Sequence, residues 1–307
     1  MQYRTICHTD LRVSAVCLGT AEFGGGVPEE EAFRILDAFA EGGGNFLDTA
    51  NVYGRWFPGG GNRSEQTLGK WLRSRRAYDR VIVATKAAHY APKTPQINRV
   101  TEADIRRDVE ESRQTLGLDR LDFLWLHRDN PERPIEEIVD ILEKLTDERL
   151  IRYYGASNYA PERLQTAVRY AAENRLHGFC AVSNEWNPAV ANPGCALNAD
   201  PTLVHAEGKL DAYEGLGLSF IPYHSTAKGF FSKLASGELY TEKYARLRAC
   251  YLNAENKALG EMLADRAAQN GSSVQTELLR YILANKLPIL PITTVSRVEQ
   301  VADILMV

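Results

Sequence analysis

The 307-residue sequence contains few cysteines, little net charge and no long apolar run. Its five cysteines are odd in number, widely spaced and without a Cys-x-x-Cys pair. This pattern argues against a disulfide framework and a zinc site, and it predicts that most cysteines are buried thiols. We therefore predict a protein without a bound metal.

The charge balance and the hydropathy exclude several classes of partner. The chain has 36 basic and 40 acidic residues, and its net charge of -4 is scattered, so no basic surface for nucleic acid or an acidic membrane is predicted. No stretch of about 18 apolar residues could span a bilayer. The N-terminus also lacks the apolar core of a signal peptide. These absences predict a cytoplasmic protein that acts on a small molecule, and no feature predicts an oligomeric state.

Short apolar runs alternate along the chain with amphipathic segments of helical period, which is typical of repeated strand–helix units and a parallel sheet. Most of the runs lack polar alternation, as expected for strands that are buried on both faces. Residues 2–12 predict an extra hairpin, and residues 254–269 predict an extra helix before the last unit. The eight strand–helix units indicate a single α/β domain over residues 1–307 that folds as a (β/α)8 TIM barrel. The predicted strands are 13–18, 45–48, 80–85, 122–127, 153–157, 179–184, 219–222 and 287–291.

Four polar residues follow or end three of these strands: Asp48, Tyr53, Lys86 and His127. In a barrel of this kind the reactive groups project from the C-terminal strand ends, so we expect the four side chains to meet there. Tyrosine has an unperturbed pKa of about 10 and needs a neighbouring cation to protonate a carbonyl oxygen near neutral pH. Lys86 is the candidate cation, and this combination predicts a carbonyl-reducing active site.

The predicted chemistry gives each of the four residues a role. Hydride arriving at a carbonyl carbon leaves negative charge on oxygen, which a donor aimed at that oxygen stabilises. We expect Tyr53 to donate the proton and Lys86 to bring its pKa towards working pH, while Asp48 keeps Lys86 oriented and charged. His127 is expected to orient the substrate oxygen as a neutral donor.

Each residue also has a purely structural interpretation. Asp48 could cap a turn or helix, and Tyr53 could anchor its loop on apolar surface. Lys86 could be a solvated strand end, and His127 could be a hydrogen-bonded histidine beneath a loop. The presence of all four residues at appropriate strand ends favours the catalytic interpretation over four separate structural ones.

The order of motifs along the chain resembles the aldo-keto reductases, in particular the bacterial NADP(H)-dependent oxidoreductases, over essentially its whole length. The motifs are Leu18-Gly19-Thr20, Phe23-Gly24-Gly25, Phe46-Leu47-Asp48-Thr49-Ala50 with Tyr53, Thr85-Lys86, Leu126-His127-Arg128, Tyr154-Gly155-Ala156-Ser157-Asn158 and Pro222-Tyr223. The resemblance implies that Asp48, Tyr53, Lys86 and His127 form a catalytic tetrad. It also implies that a nicotinamide cofactor lies across the barrel mouth.

By the same resemblance, Ser157 and Asn158 would bind the nicotinamide carboxamide, although this pair could instead cap the helix that begins near Pro161. Tyr223 would stack on the nicotinamide ring, and the loop after it would wrap the pyrophosphate. Arg297 would pair with a 2′-phosphate at the adenosine end, unless it belongs to a solvated helix start. The expected cofactor-binding residues are Gly19, Thr20, Ser157, Asn158, Ser183, Tyr223, Lys228, Thr293, Ser296, Arg297 and Gln300.

Two positions depart from the family pattern. Ser183 stands where many relatives have a glutamine that binds the carboxamide. Ile292-Thr293 stands where some relatives have a lysine for the 2′-phosphate, and Lys228, Lys233 or Arg297 could compensate. The resemblance makes NADP(H) the expected cofactor, and these departures leave NAD(H) as the alternative.

The chain ends at Val307 without the long tail that shapes the pocket in several relatives, so other loops are expected to cover the substrate. Aromatic and cationic side chains on these loops suit a sugar-like or aromatic carbonyl compound. Trp125 shares strand parity with His127 and is expected to fill the barrel beneath the site. The substrate-wall candidates are Trp56, Phe57, Tyr90, Arg128 and Trp186.

Two other functions remain open from the residues. A barrel hydrolase or isomerase could use Asp48, Glu185 and His127 around a metal or a glycosidic bond, but Lys86 beside Tyr53 would then have no obvious role. A slow or non-catalytic cofactor-binding sensor or regulatory subunit could use the same scaffold. The leading prediction is hydride transfer between NADP(H) and an aldehyde, ketone or sugar.

Overall fold

A barrel-like sheet of parallel strands dominates the fold. In the computed structural model, which describes residues 1–195, 197, 200–206 and 210–307, eight parallel strands lie side by side in chain order, with the last beside the first. Backbone hydrogen bonds from Leu290 N and Ile292 N to Phe220 O and Pro222 O, both 2.9 Å, bring the two edges of the sheet together. The strands are β3 (Cys17–Gly19), β4 (Phe46–Asp48), β5 (Ile82–Ala87), β6 (Leu121–Leu126), β7 (Ile151–Ser157), β8 (Ala181–Ser183), β9 (Ser219–Phe220) and β10 (Ile292–Thr293).

The predicted N-terminal hairpin is confirmed as β1 (Tyr3–Thr5) paired antiparallel with β2 (Arg12–Ser14). Its apolar side chains are buried in the same cluster as Phe46, Phe123 and Trp125 from the barrel strands. The Cys7 N–H donates to Ser219 Oγ at 2.9 Å and ties the hairpin to β9. The hairpin therefore covers the interior of the barrel with apolar side chains.

Helices separate most of the strands and pack their apolar faces on the outside of the sheet. Their ends follow ordinary capping rules: Thr101 accepts from Asp104 N at 3.1 Å at the start of one helix, and Gly117 ends it at φ 75°. The extra helix before the last unit is confirmed as α8. The helices are α1 (Glu29–Glu41), α2 (Arg63–Arg75), α3 (Glu102–Leu116), α4 (Ile135–Asp147), α5 (Pro161–Asn174), α6 (Phe230–Ser236), α7 (Ala245–Tyr251), α8 (Ala254–Asn270), α9 (Val274–Leu283) and α10 (Val301–Leu305). No helix in these ranges is long and apolar enough to cross a membrane.

Two predicted strand boundaries were wrong. The run 13–18 is divided between β2 of the hairpin and β3 of the barrel. The last strand is Ile292–Thr293, which pairs with Cys17 and Leu18, rather than 287–291. The prolines at 288 and 291 explain the shift, because proline has no N–H to donate to a sheet ladder.

The sequence argued against a disulfide framework and predicted that most cysteines are buried thiols. This was wrong for Cys195 and Cys250, whereas Cys17 and Cys180 are buried thiols and Cys7 is half-buried. Cys195 and Cys250 form a disulfide with their Cα atoms 5.2 Å apart, whereas Cys7, Cys17 and Cys180 are free. The two partners are separated by 55 residues, so only the tertiary structure brings them together. The bond ties the chain after β8 to α7.

Candidate active site

The C-terminal ends of the strands surround a cavity of about 790 Å³. Asp48 is the last residue of β4, Lys86 lies near the end of β5, and His127 follows β6 directly. Tyr53 lies in the loop that follows β4. All four side chains line this cavity, so the fold brings together the residues expected to form the tetrad.

Asp48 and Lys86 form a buried ion pair at the base of the cavity. Their exposed fractions are 3% and 2%. Lys86 Nζ donates to Asp48 Oδ1 and, at 2.8 Å, to the carbonyl oxygen of Thr49. Burial lowers the pKa of Lys86, but the Asp48 carboxylate and Tyr53 raise it by more, and the net pKa lies above its usual value. The ammonium is therefore charged at neutral pH.

The Tyr53 ring lies against this ion pair, with Lys86 Nζ 4.7 Å from the ring centroid. Burial raises the pKa of the Tyr53 phenol above its ordinary value, and the charge of Lys86 opposes that rise. The outcome differs from the expectation that Lys86 would bring this pKa down towards working pH. The physical reason is that burial disfavours the phenolate and Asp48 adds negative charge nearby. Tyr53 is therefore a protonated phenol, ready to donate.

His127 is held in its neutral form. Burial lowers its pKa well below the usual value, and the neighbouring His89 imidazole and the positive charges of Arg128 and Lys86 lower it further. Its ring packs edge-on against Tyr53, with 5.7 Å between the ring centroids. A neutral imidazole can donate one hydrogen bond without adding a charge to the site.

His89 is a neighbour of the site that the sequence reasoning missed. Its ring centroid lies 4.6 Å from that of His127, and its Nδ1 donates to the Tyr90 carbonyl oxygen at 2.8 Å. Burial lowers the pKa of His89 to about 4, so it packs against His127 as a second neutral imidazole. The sequence did carry a signal for His89, because it lies three residues after Lys86 in the loop that leaves the cavity at the end of β5.

The strand ends opposite Tyr53 carry Ser157, Asn158 and Tyr223 into the cavity. The Tyr223 hydroxyl donates to Asn158 Oδ1 at 2.7 Å, and Asn158 Nδ2 donates to the His127 carbonyl oxygen at 3.2 Å. The Asn158 amide is thus already bonded within the protein, while its backbone adopts φ 64°. This network fixes Tyr223 beside the strand end that carries His127.

Four of the eleven expected cofactor residues, Thr20, Ser183, Thr293 and Arg297, do not line the cavity. Thr20 is buried and donates from Oγ1 to the Asp48 carbonyl oxygen at 2.9 Å, so it supports the strand below the cavity. Ser183 and Thr293 are buried, and neither hydroxyl has a hydrogen-bond partner among the described residues. Arg297 is exposed and does not line the cavity. The members that do line it are Gly19, Ser157, Asn158, Tyr223, Lys228, Ser296 and Gln300.

Two of the five expected substrate-wall residues, Trp56 and Arg128, line the cavity. Arg128 is fixed there by Asp200 Oδ2 at 3.1 Å and by Thr202 Oγ1 at 2.8 Å. The indole of Trp56 is 48% exposed at the rim.

The other three candidates lie elsewhere. Phe57 packs on the backbone at Gly25, where an added Cβ would clash with its ring. Tyr90 donates to Asp200 at 2.7 Å and lines a neighbouring cavity of about 210 Å³. Trp186 is buried and packs edge-on against Phe220.

The cavity also includes polar residues outside the expected sets of cofactor and substrate residues, although Lys233 was considered for the 2′-phosphate and the loop after Tyr223 was expected to wrap the pyrophosphate. They lie in the loops after β3, β9 and β10 and on α6, α9 and α10. Of the described residues, no three His, Cys, Asp or Glu side chains are grouped as metal ligands. The additional polar lining residues are Glu22, His224, Thr226, Ser232, Lys233, Gln275, Thr294 and Asp303.

Comparison with known proteins points to one protein family. The model of the aldo/keto reductase family matches residues 15–307. The chain is 28% identical over 310 residues to a protein named uncharacterized oxidoreductase YrpG from Bacillus subtilis, covering 99% of this chain and 90% of that protein. It is 27% identical to the aldo-keto reductase ausK of Aspergillus calidoustus, over 98% of this chain and 76% of the relative. It is also 27% identical to the norsolorinic acid reductase stcV of Emericella nidulans, over 94% and 73%. The chain therefore belongs to the aldo/keto reductase family, whose members are oxidoreductases that act on small carbonyl compounds.

Proposed function

We propose that the protein transfers a hydride reversibly between NADP(H) and an aldehyde, ketone or sugar, with Tyr53 as the proton donor in reduction. The observation that carries the proposal is the contact of the protonated Tyr53 phenol with the buried Asp48–Lys86 ion pair, at the base of an open cavity. The reductase names of the relatives support the same reaction class.

In this proposal each residue of the tetrad handles a proton or aims an oxygen. Tyr53 donates its proton to the oxygen that gains negative charge, and Lys86 stabilises the phenolate that remains. Asp48 keeps Lys86 charged and oriented towards that phenolate. His127, neutral at working pH, donates to the same oxygen and aligns the carbonyl. In the oxidative direction the Tyr53 phenolate accepts the proton.

The donor set of the cavity fits a nicotinamide dinucleotide. A volume of about 790 Å³ accommodates a ligand of that size. The buried hydroxyls of Ser183 and Thr293 have no hydrogen-bond partner among the described residues, and Thr293 lies between the cavity-lining residues Ile292 and Thr294. When bound, the nicotinamide supplies or accepts the hydride. Ser157, Asn158 and the Tyr223 ring would hold the nicotinamide end, and Lys228, Ser296 and Gln300 would hold the remainder.

Trp56 and Arg128 form the substrate side of this proposal. An aromatic face and a fixed cation suit a polar, sugar-like or aromatic carbonyl compound. We place the reaction in the cytoplasm. The Cys195–Cys250 disulfide is uncommon in that compartment, and its redox state in the purified protein can be measured directly.

Fluorescence titration with NADPH and with NADH tests the proposal, followed by a panel of aldehydes, ketones and sugars with whichever binds. We expect binding of NADPH and reduction of at least one member of the panel, unaffected by chelator. Tight binding without turnover would favour the sensor alternative. Turnover that chelator abolishes would favour the metal-dependent hydrolase or isomerase.

A further inference from the structure

Trp125 occupies the interior of the barrel beneath the active-site cavity. Its side chain is completely buried, and its ring centroid lies 4.7 Å from that of Phe123 in the same apolar cluster. A leucine or a phenylalanine would fill this space without burying a polar atom. Trp125 also buries an indole N–H, and its Nε1 has no hydrogen-bond partner of ordinary length and angle among the described residues. A buried N–H without a partner is costly, so an acceptor should lie nearby.

The matching acceptor belongs to the buried ion pair at the base of the cavity. Asp48 is 3% exposed, and Lys86 donates to only one oxygen of its carboxylate, Oδ1. Oδ2 is buried and has no partner of ordinary geometry among the described residues. The last torsion of an aspartate side chain is broad, so a carboxylate that is bonded at one oxygen can turn. The barrel interior thus holds a buried donor that needs an acceptor and a buried acceptor that needs a donor.

The sheet places the two groups on the same side of the barrel interior. Trp125 on β6 is the register partner of Lys86 on β5, and β5 lies between β6 and β4, the strand that ends in Asp48. On its other flank Trp125 is the register partner of Gly155 on β7. An added Cβ at Gly155 would clash with Cζ3 and Cε3 of the indole, so this edge of the ring rests on the β7 backbone. Nε1 belongs to the opposite edge of an indole and therefore faces β5 and β4.

The protonation of Asp48 reflects the same contact. Burial raises the pKa of Asp48, while the charge and the hydrogen bond of Lys86 oppose that rise, and the indole N–H of Trp125 opposes it as well. A donor at the carboxylate favours its ionised form over the carboxylic acid. The indole therefore supports the negative charge of the ion pair without adding a charge of its own.

We propose that Trp125 is a positioning residue, whose indole N–H donates to Asp48 Oδ2 and fixes the carboxylate that holds Lys86. This inference rests on the proposed function, in which Lys86 must face the Tyr53 phenolate. With the ammonium on Oδ1 and the indole on Oδ2, any rotation of the carboxylate breaks a hydrogen bond. Lys86 therefore keeps its direction while the proton leaves Tyr53. Gly155 contributes to the same arrangement, because a larger residue there would displace the indole.

Trp125→Phe tests the proposal, because it keeps an aromatic ring and removes the N–H. We expect kcat for carbonyl reduction to fall by about tenfold to a hundredfold, as for the loss of a hydrogen bond to a charged group, while NADPH affinity stays within about twofold of wild type. Trp71→Phe is the matched control. Trp71 is also buried and its Nε1 donates to a carboxylate, Asp37 Oδ1 at 2.8 Å, but it lies on α2 outside the sheet. This variant should keep the wild-type kcat.

Indole NMR follows the hydrogen bond itself and needs no turnover. The chain has four tryptophans, and comparison with Trp125→Phe assigns the indole N–H signal of Trp125. We expect this signal downfield of that of the exposed Trp56. It should move upfield in Asp48→Asn, because a neutral amide oxygen is a weaker acceptor than a carboxylate, while the Trp71 signal stays in place. Gly155→Ala keeps the N–H but displaces the ring, so it should move the same signal and lower kcat even if Trp125→Phe proves unstable.

The two readouts separate this inference from the proposed function. A Trp125 signal that does not respond to Asp48→Asn, or a kcat of Trp125→Phe equal to that of Trp71→Phe, would overturn the inference and leave the proposed function standing. If the signal responds to Asp48→Asn but the wild type reduces no carbonyl compound of the panel, the proposed function fails, while the hydrogen bond between Trp125 and Asp48 stands.

Discussion

Asp48→Asn breaks the buried ion pair on which the site is built. The substitution removes the negative charge beside Lys86, which is 2% exposed, and leaves the ammonium with neutral hydrogen-bond acceptors such as the carbonyl oxygen of Thr49. Removing one partner of a buried ion pair typically costs about 3–5 kcal/mol, because the remaining charge is left uncompensated. We expect a loss of this size in the free energy of unfolding at pH 7, measured by urea denaturation.

The pH dependence of that loss gives a sharper test. In the wild type the pKa of Lys86 lies above its usual value, whereas without Asp48 burial would pull it below the value in the unfolded chain. A lysine whose pKa is lower in the folded than in the unfolded protein destabilises the fold most at pH values below its folded pKa. This penalty falls as pH rises and disappears above the unfolded pKa of about 10.4. The deficit of Asp48→Asn should therefore be largest near pH 7 and shrink towards pH 10.

Activity should fall together with stability. Without Asp48 to keep Lys86 charged and oriented, Lys86 stabilises the Tyr53 phenolate less, and general acid catalysis typically contributes about 10²–10⁴ in rate. Glu29→Gln is the matched control, because it breaks the half-exposed Glu29–Lys70 pair of 2.7 Å, which is worth at most about 1 kcal/mol. A cost below about 1 kcal/mol for Asp48→Asn, with turnover retained, would refute the reasoning.

Three further outcomes are expected. Burial raises the pKa of Glu65 to about 7, so the free energy of unfolding of the wild type should fall by about 3 kcal/mol as pH rises from 4.5 through 7. Urea denaturation at pH 5 and at pH 8 should show a much smaller loss for Glu65→Gln. Because burial lowers the pKa of His89 to about 4 and that of His127 well below its usual value, NMR titration between pH 5.5 and 8 should show neither ring gaining a proton; a midpoint near 6.5 for either would contradict the site description. Thiol labelling of the unfolded protein should find three reactive cysteines without reductant and five with it, whereas five in both would show that Cys195 and Cys250 are not bonded.

The parts of the site that the sequence predicted well are those set by strand ends. Asp48, Lys86 and His127 end or follow parallel strands, and parallel strands of one barrel present their C-terminal ends at a single rim. Their meeting in one cavity therefore follows from the fold class alone. Their catalytic roles remain predictions until activity is measured.

The parts that could not be predicted depend on loops. An aromatic residue in a loop can face a cavity or pack inwards, and the sequence around Trp186 and Phe57 does not distinguish the two. The same holds for contacts between distant loops, such as Glu185 with His224 and Cys195 with Cys250. The net rise of the Tyr53 pKa also depended on how deeply the fold buries the phenol, which composition does not reveal.

The most direct test of the central claim is single-turnover carbonyl reduction by Tyr53→Phe at saturating NADPH. The variant removes one hydroxyl from the contact with Lys86, and we expect the rate to fall by about 10²–10⁴ while NADPH affinity stays within about twofold of wild type. Tyr90→Phe, which removes a phenol hydroxyl beside Asp200 in the neighbouring cavity, should reduce at close to the wild-type rate. A Tyr53→Phe enzyme that reduces its substrate at the wild-type rate would contradict the assignment of the proton donor.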